Sequence, residues 1–129
     1  MRFAGVTTML LTLILATSAD AATIGLKVGD YGTTGLACHR QPNATTMSFD
    51  GRSFSYPHAS KCTDKILMRS AGVLTIAETC RAAGDGSPVK ANTETFKVHR
   101  RAADRFTLIK GNIAMTYRWC GSVGYFNKH

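Results

Sequence analysis

The chain has 129 residues, and its 16 Lys and Arg outweigh 8 Asp and Glu to give a net charge of +8. That length suits a single domain, and an apolar fraction of 44% is too high for a disordered polyelectrolyte. The positive balance disfavours acidic surfaces as the business end and points to anionic partners: nucleic acid, lipopolysaccharide, acidic lipid headgroups or an acidic protein.

The N-terminus reads as a processing segment. Met1-Arg2-Phe3 supplies a positive charge, Val6 to Ala16 is an apolar core, and Ala19-Asp20-Ala21 offers small residues at the positions a signal peptidase reads. Residues 1–21 are therefore expected to be a cleaved signal peptide, with 22–129 as a single disulfide-bonded β domain in the periplasm or outside the cell. The apolar run falls short of the ~20 residues that span a bilayer. No cysteine stands near the cleavage site to carry a lipid. Cleavage would remove one base, Arg2, and one acid, Asp20, so the net charge stays at +8.

All four cysteines, Cys38, Cys62, Cys80 and Cys120, follow that site. In an oxidising compartment an even count reads as two disulfides with three open connectivities. The predicted strand layout favours Cys38–Cys62 with Cys80–Cys120. Zinc sites want closely spaced pairs such as C-x-x-C, which are missing here. No metal or other cofactor is expected.

The predicted elements are strands almost throughout. Over Thr45 to Tyr56, Asp50-Gly51 is a strong signal for a two-residue type I′ hairpin turn. That turn opposes Phe49 to Arg52 and Met47 to Phe54, and puts Met47, Phe49, Phe54 and Tyr56 on one face. Lys65–Arg69 and Val73–Cys80 form strands around Ser70-Ala71-Gly72. Gly84 to Pro88 is a loop, and Thr93–His99 is the next strand. A second two-residue turn, Lys110-Gly111, sets Leu108 against Ile113 and Phe106 against Met115, with Tyr117 and Trp119 continuing the inward phase. No amphipathic helix of useful length is present. The expected architecture is all-β: an antiparallel meander of about seven or eight strands, forming a small barrel or sandwich stapled by two disulfides.

The layout Tyr31-x6-Cys38, Phe54-x-Tyr56 before Cys62, Thr79-Cys80 and Tyr117-x-x-Cys120 resembles a loose group of small exported Gram-negative four-cysteine β-proteins. It is also distantly similar in size and plan to periplasmic lysozyme inhibitors, but lacks their Ser-Gly-x-x-Tyr signature. The resemblance implies a stapled β-barrel and supplies no catalytic residue.

The densest basic cluster runs from Lys97 to Arg105. Phe96 and Val98 should face inward and Lys97 and His99 outward, with Arg100 to Arg105 as a flexible hairpin tip. Lys97, His99, Arg100, Arg101 and Arg105 are the candidate binding residues, because guanidinium groups pair bidentately with phosphate and carboxylate. A solvated turn would carry the same composition. Tyr117 and Trp119, beside Arg118 and Arg105, could stack on bases, although their phase makes them core.

Enzymatic activity is not expected. His39, His58, His99 and His129 sit in no catalytic motif. A nuclease arrangement could be drawn on paper from Glu78 and His99 with Arg100, or from His58 with Lys61. Glu78 is in phase with Leu74 and Ile76, so alternation turns it inward; a strand end with a Lys or Arg partner is the simpler expectation. The leading reading is a monomeric, non-enzymatic exported protein that binds an anionic ligand or acidic protein partner through a basic face. Nucleic acid is included among those ligands. Inhibition of an envelope enzyme and a small basic nuclease are the alternatives. A basic lysozyme is a poor target for so basic a chain, because like charges repel, unless Asp30, Asp50, Asp64, Asp85 and Asp104 build a local acidic patch.

Overall fold

A computed structural model describes residues 23–128, so the expected signal peptide, residues 1–21, lies outside the described residues. Strands β1 (Gly29–Thr33), β2 (Thr46–Phe49), β3 (Phe54–Ser55), β4 (Ala59–Ser70), β5 (Val73–Ala83), β6 (Pro88–Ala102), β7 (Arg105–Lys110) and β8 (Ile113–Gly121) form one antiparallel sheet. Its order is β3-β2-β1-β8-β7-β6-β5-β4. The fold is thus all-β, an up-and-down meander in which β8 returns to β1 and the sheet curls into a nearly closed barrel.

The barrel closes because the inward phase of each strand is apolar. Tyr31, Phe49, Phe54, Ile76, Val98 and Phe106 are fully buried. Phe54 lies at the centre of an aromatic chain, with ring centroids 5.1 Å from Phe49, 5.5 Å from Phe106 and 6.3 Å from Phe96. Phe106 in turn stacks on Tyr117 at 5.3 Å. Contacts at these distances add to the area burial that drives closure.

At both expected tight turns the strand register slips by two residues. Phe49 pairs with Phe54 across a loop of residues 50–53. The loop closes through Asp50 N–H to the Ser53 carbonyl, and the Asp50 carboxylate accepts the N–H groups of Arg52 and Ser53, each at 2.8 Å. A side chain that bonds its own turn outcompetes the tighter hairpin. At the other site Lys110 pairs with Ile113, Leu108 with Met115 and Phe106 with Tyr117. Sliding a pair by two residues keeps every side chain on its face, so the inward sets of Met47, Phe49 and Phe54, and of Phe106 and Tyr117, are as expected.

The disulfides correct the expected pairs Cys38–Cys62 and Cys80–Cys120: the bonds are Cys38–Cys120 and Cys62–Cys80. β4 begins at Ala59, upstream of the expected Lys65, and its hairpin with β5 places Cys62 directly opposite Cys80. Cys38 follows β1, which lies along β8, and so meets Cys120. Two disulfides are compatible with an oxidising, exported location. No described helix is long and apolar enough to cross a membrane.

The two ends of the barrel differ. At one, the segment before β1 lies across the opening. Ile24 and Leu26 are buried in the core, Arg100 Nε donates to the Gly25 carbonyl at 2.9 Å, and Arg69 donates to the Thr23 carbonyl at 2.9 Å. The other end is open. It is framed by the turn before β4, the β5–β6 ends and the β7–β8 hairpin. Gly84 is required there, because a Cβ would stand 1.6 Å from the Pro57 carbonyl oxygen.

Chain-entropy arithmetic ranks the staples. Sequence separations of 82 and 18 residues correspond to about 4.5 and about 3 kcal/mol. Replacing Cys38 and Cys120 by Ser should lower unfolding stability in urea more than replacing Cys62 and Cys80. The reverse order would mean that the β4–β5 bond, and not the clasp on β1 and β8, dominates.

Candidate functional site

Two regions concentrate chemistry, one inside the open end and one on the outer face. The inner one begins with β5. Alternation carries Leu74 and Ile76 inward and takes Glu78 with them, leaving it 5% exposed. Its neighbours are set by adjacent elements. Asp64 stands opposite it on β4, and Tyr56, just before β4, donates its hydroxyl to Glu78 Oε2 at 3.0 Å. The strand-end position with a cationic partner is therefore corrected: Glu78 is mid-strand, facing another carboxyl.

Asp64 explains how two carboxyls coexist. Its Oδ2 accepts the Phe54 N–H at 2.7 Å, while Oδ1 is buried with no donor in hydrogen-bond reach. A buried acceptor left unpaired is costly. A protonated Glu78, which stands opposite Asp64 in the strand register, would supply the missing donor. Burial first, then the hydrogen bond and charge of Asp64, push the Glu78 carboxyl up to about 9, against the lowering effect of Tyr56. Burial also raises Asp64, opposed by the hydrogen bonds from Glu78 and Phe54. The two carboxyls form a dyad that titrates as a coupled pair.

Above the dyad is a cavity of about 480 Å³ that opens at the barrel end. Met47, Phe96, Leu108 and Tyr117 form apolar walls, and His58, Lys90, Glu94 and Lys110 lie around it. Of the paper constellations for a nuclease, Glu78 and His99 are separated: Glu78 faces inward, and His99 on β6 is out of phase with buried Val98. Arg100 clamps the N-terminal segment. His58 instead shares the cavity with Glu78 and stacks on Tyr56 at 5.5 Å. The sulfurs of Cys62 and Cys80 lie near Glu78, but they are joined in a disulfide and are not available as thiolate ligands.

The outer region lies on β5 to β8. Lys97, His99 and Arg101 face outward from β6, Arg101 donating to Thr107 Oγ1 at 3.1 Å. Arg105 on β7 pairs in register with Arg118 on β8, whose guanidinium donates to the Leu36 carbonyl at 2.6 Å. Four of the five expected binding residues thus share a face, and Arg100 does not. Nor is the tip a loose one: Lys27 N–H donates to the Ala103 carbonyl at 2.7 Å and Trp119 N–H to the Asp104 carbonyl at 2.9 Å. Tyr117 is core, and Trp119 lies half-buried with the Lys27 ammonium 3.6 Å above its ring. The acidic residues form no patch. Asp30 is buried and Asp64 partly buried at separate places, while Asp50, Asp85 and Asp104 occupy three separate turns. No protein family, curated protein or solved structure matches the chain.

The dyad fixes the sign of one pH effect. A carboxyl raised from 4.5 to about 9 binds its proton more tightly folded than unfolded, so its stabilising contribution is complete below 4.5 and is lost as pH rises through about 9. Glu78→Gln, whose amide can donate to Asp64 and accept from Tyr56, should flatten that slope and be more stable than the parent at high pH. Urea midpoints across the range measure it, and parallel profiles would refute the raised Glu78 pKa.

Proposed function

We propose that this chain is a non-enzymatic binding protein, exported to the periplasm or beyond, that engages an anionic partner through the outer face of β5 to β8. The observation carrying the reading is the sorting of charge across the sheet. Outward positions on these strands hold Lys97, His99, Arg101, Arg105 and Arg118, and no Asp or Glu. The strand carboxylates sit elsewhere: Asp64 and Glu78 turned inward, Glu94 at the cavity, and Asp30 beneath the C-terminal segment, where it accepts the Gly124 N–H. Among the described residues the one ion pair is Lys110–Glu94, at the cavity rim. Cations without local counter-charges keep their attraction for an incoming anion, and arginines held by backbone and hydroxyl contacts are already oriented for it. An encounter of this kind is steered by charge and screened by salt.

Single-stranded RNA serves as the probe polyanion. Retention should fall steeply with salt, and the triple variant Lys97→Glu, Arg101→Glu, Arg105→Glu should make the log–log salt slope shallower by about 2. A control reversal at Arg52 and Lys128 should change it far less. Absence of binding at low salt, or equal slopes for both variants, would remove the outer face from the function. Cleavage of the RNA surviving repurification would move the reading to a nuclease.

A further inference from the structure

The open end carries a second set of features that the cationic face does not use. Val89, Ile113 and Met115 line the cavity yet remain 48%, 62% and 38% exposed. Large apolar side chains clustered at the mouth of an apolar cavity mark a ligand site more often than chance exposure does. Below them the walls are Met47, Phe96 and Leu108.

The depth of the cavity makes few polar demands on its occupant. The Tyr56 hydroxyl is given to Glu78, the Phe54 N–H to Asp64, and the Tyr117 hydroxyl to the Met115 sulfur at 3.9 Å. With these groups turned to protein partners and the walls otherwise apolar, an inserted group loses little by being a hydrocarbon. The rim is different. Glu94 is paired with Lys110, so the Lys90 ammonium leaves the entrance with a surplus positive charge. An eight-stranded barrel interior is just wide enough to hold one small ligand, and a volume of about 480 Å³ lies within the usual range for such sites.

We propose that the open end binds a single-chain amphiphile, its hydrocarbon tail between Phe96, Leu108 and Met115 and its anionic headgroup at Lys90. The site lies at the opposite end of the barrel from the Arg100–Arg105 tip and shares no residue with the outer face. It goes beyond the polyanion reading, and either one stands without the other.

Titration calorimetry of the oxidised domain, below the aggregation concentration of each amphiphile, tests it with dodecanoate, dodecyl phosphate, dodecanol and dodecyltrimethylammonium. One-to-one binding of both anionic amphiphiles is expected, with dodecanol at least fivefold weaker and the cationic amphiphile weakest. Dodecanoate and dodecyl phosphate binding alike would indicate recognition of charge; a large preference would identify the headgroup source. Leu108→Trp, which fills the cavity, should abolish binding, and Lys90→Glu should weaken the anions while sparing dodecanol. If Leu108→Trp does not fold by circular dichroism, Met115→Glu at the exposed mouth replaces it, and loss of binding is again expected. The triple outer-face variant should bind dodecanoate normally even where it has lost RNA. No binding by any dodecyl compound, or binding kept in the cavity variants and lost in the outer-face variant, would overturn the proposal.

Discussion

One seam decides whether this sheet is a barrel. Seven junctions are made by backbone pairing, but β3 and β4 diverge after the bridge between Tyr56 and Ala59. What holds them is Asp64, which accepts the Phe54 N–H and donates its own N–H to Ser53 Oγ at 3.2 Å. One bond to the carboxylate and one from the backbone thus stand in for a ladder at this seam, leaving Asp64 partly buried with its Oδ1 enclosed. The second oxygen of Asp64 has no hydrogen-bond partner, and the Glu78 carboxyl facing it is raised by burial. Closure of the sheet and the raised Glu78 pKa thus share one cause, the enclosure of two facing carboxyls beside the seam.

That arrangement also shapes the two ends. The seam lies near the open end, where Tyr56 and the turn before β4 bend over Glu78, and the N-terminal segment closes the far end with Ile24 and Leu26. Arg69 and Arg100 fasten that segment by its carbonyls. Two of the basic residues in the chain are consequently structural. Gln41 does similar work after the turn at Cys38–Arg40, its amide donating to the Thr33 and Leu36 carbonyls while its oxygen accepts from Thr33 and Thr45.

Much of this was legible in the sequence, for an identifiable reason. Period-two alternation fixes faces, and faces survive a two-residue slip, so the core around Phe49, Phe54, Phe96, Val98 and Phe106 could be read although the register slipped at both turns. Turn chemistry was less legible, because Asp50 bonding Arg52 and Ser53 is a choice the dipeptide Asp-Gly does not announce. The disulfides failed through a boundary. With β4 started at Lys65, Cys62 lay outside the hairpin; extending the strand to Ala59 sets it against Cys80. Glu78 was read correctly by phase and misjudged by custom, since an inward carboxylate is rare unless something holds its proton. Asp64 is the signal, one residue upstream of the expected strand's start at Lys65 and directly opposite Glu78. The basic run divides by alternation: Arg100 continues the inward phase of Phe96 and Val98 and so reaches the N-terminal segment, while Lys97, His99 and Arg101 take the opposite face.

The inward and outward chemistry meet in the charge balance. A formal net charge of +8 counts every carboxyl as ionised, yet burial raises both the Asp64 and the Glu78 carboxyl and so disfavours their negative charge in the folded domain. Its remaining carboxylates are also poorly placed to offset the outer face, being at turns, at the cavity rim or beneath the C-terminal segment. The cations of β6 to β8 therefore repel one another with little local relief, a cost carried by the folded state. A polyanion on that face would remove the repulsion and so stabilise the fold by mass action. The same inward placement of Asp64 and Glu78 that accompanies closure thus sharpens the asymmetry that an anionic partner would recognise.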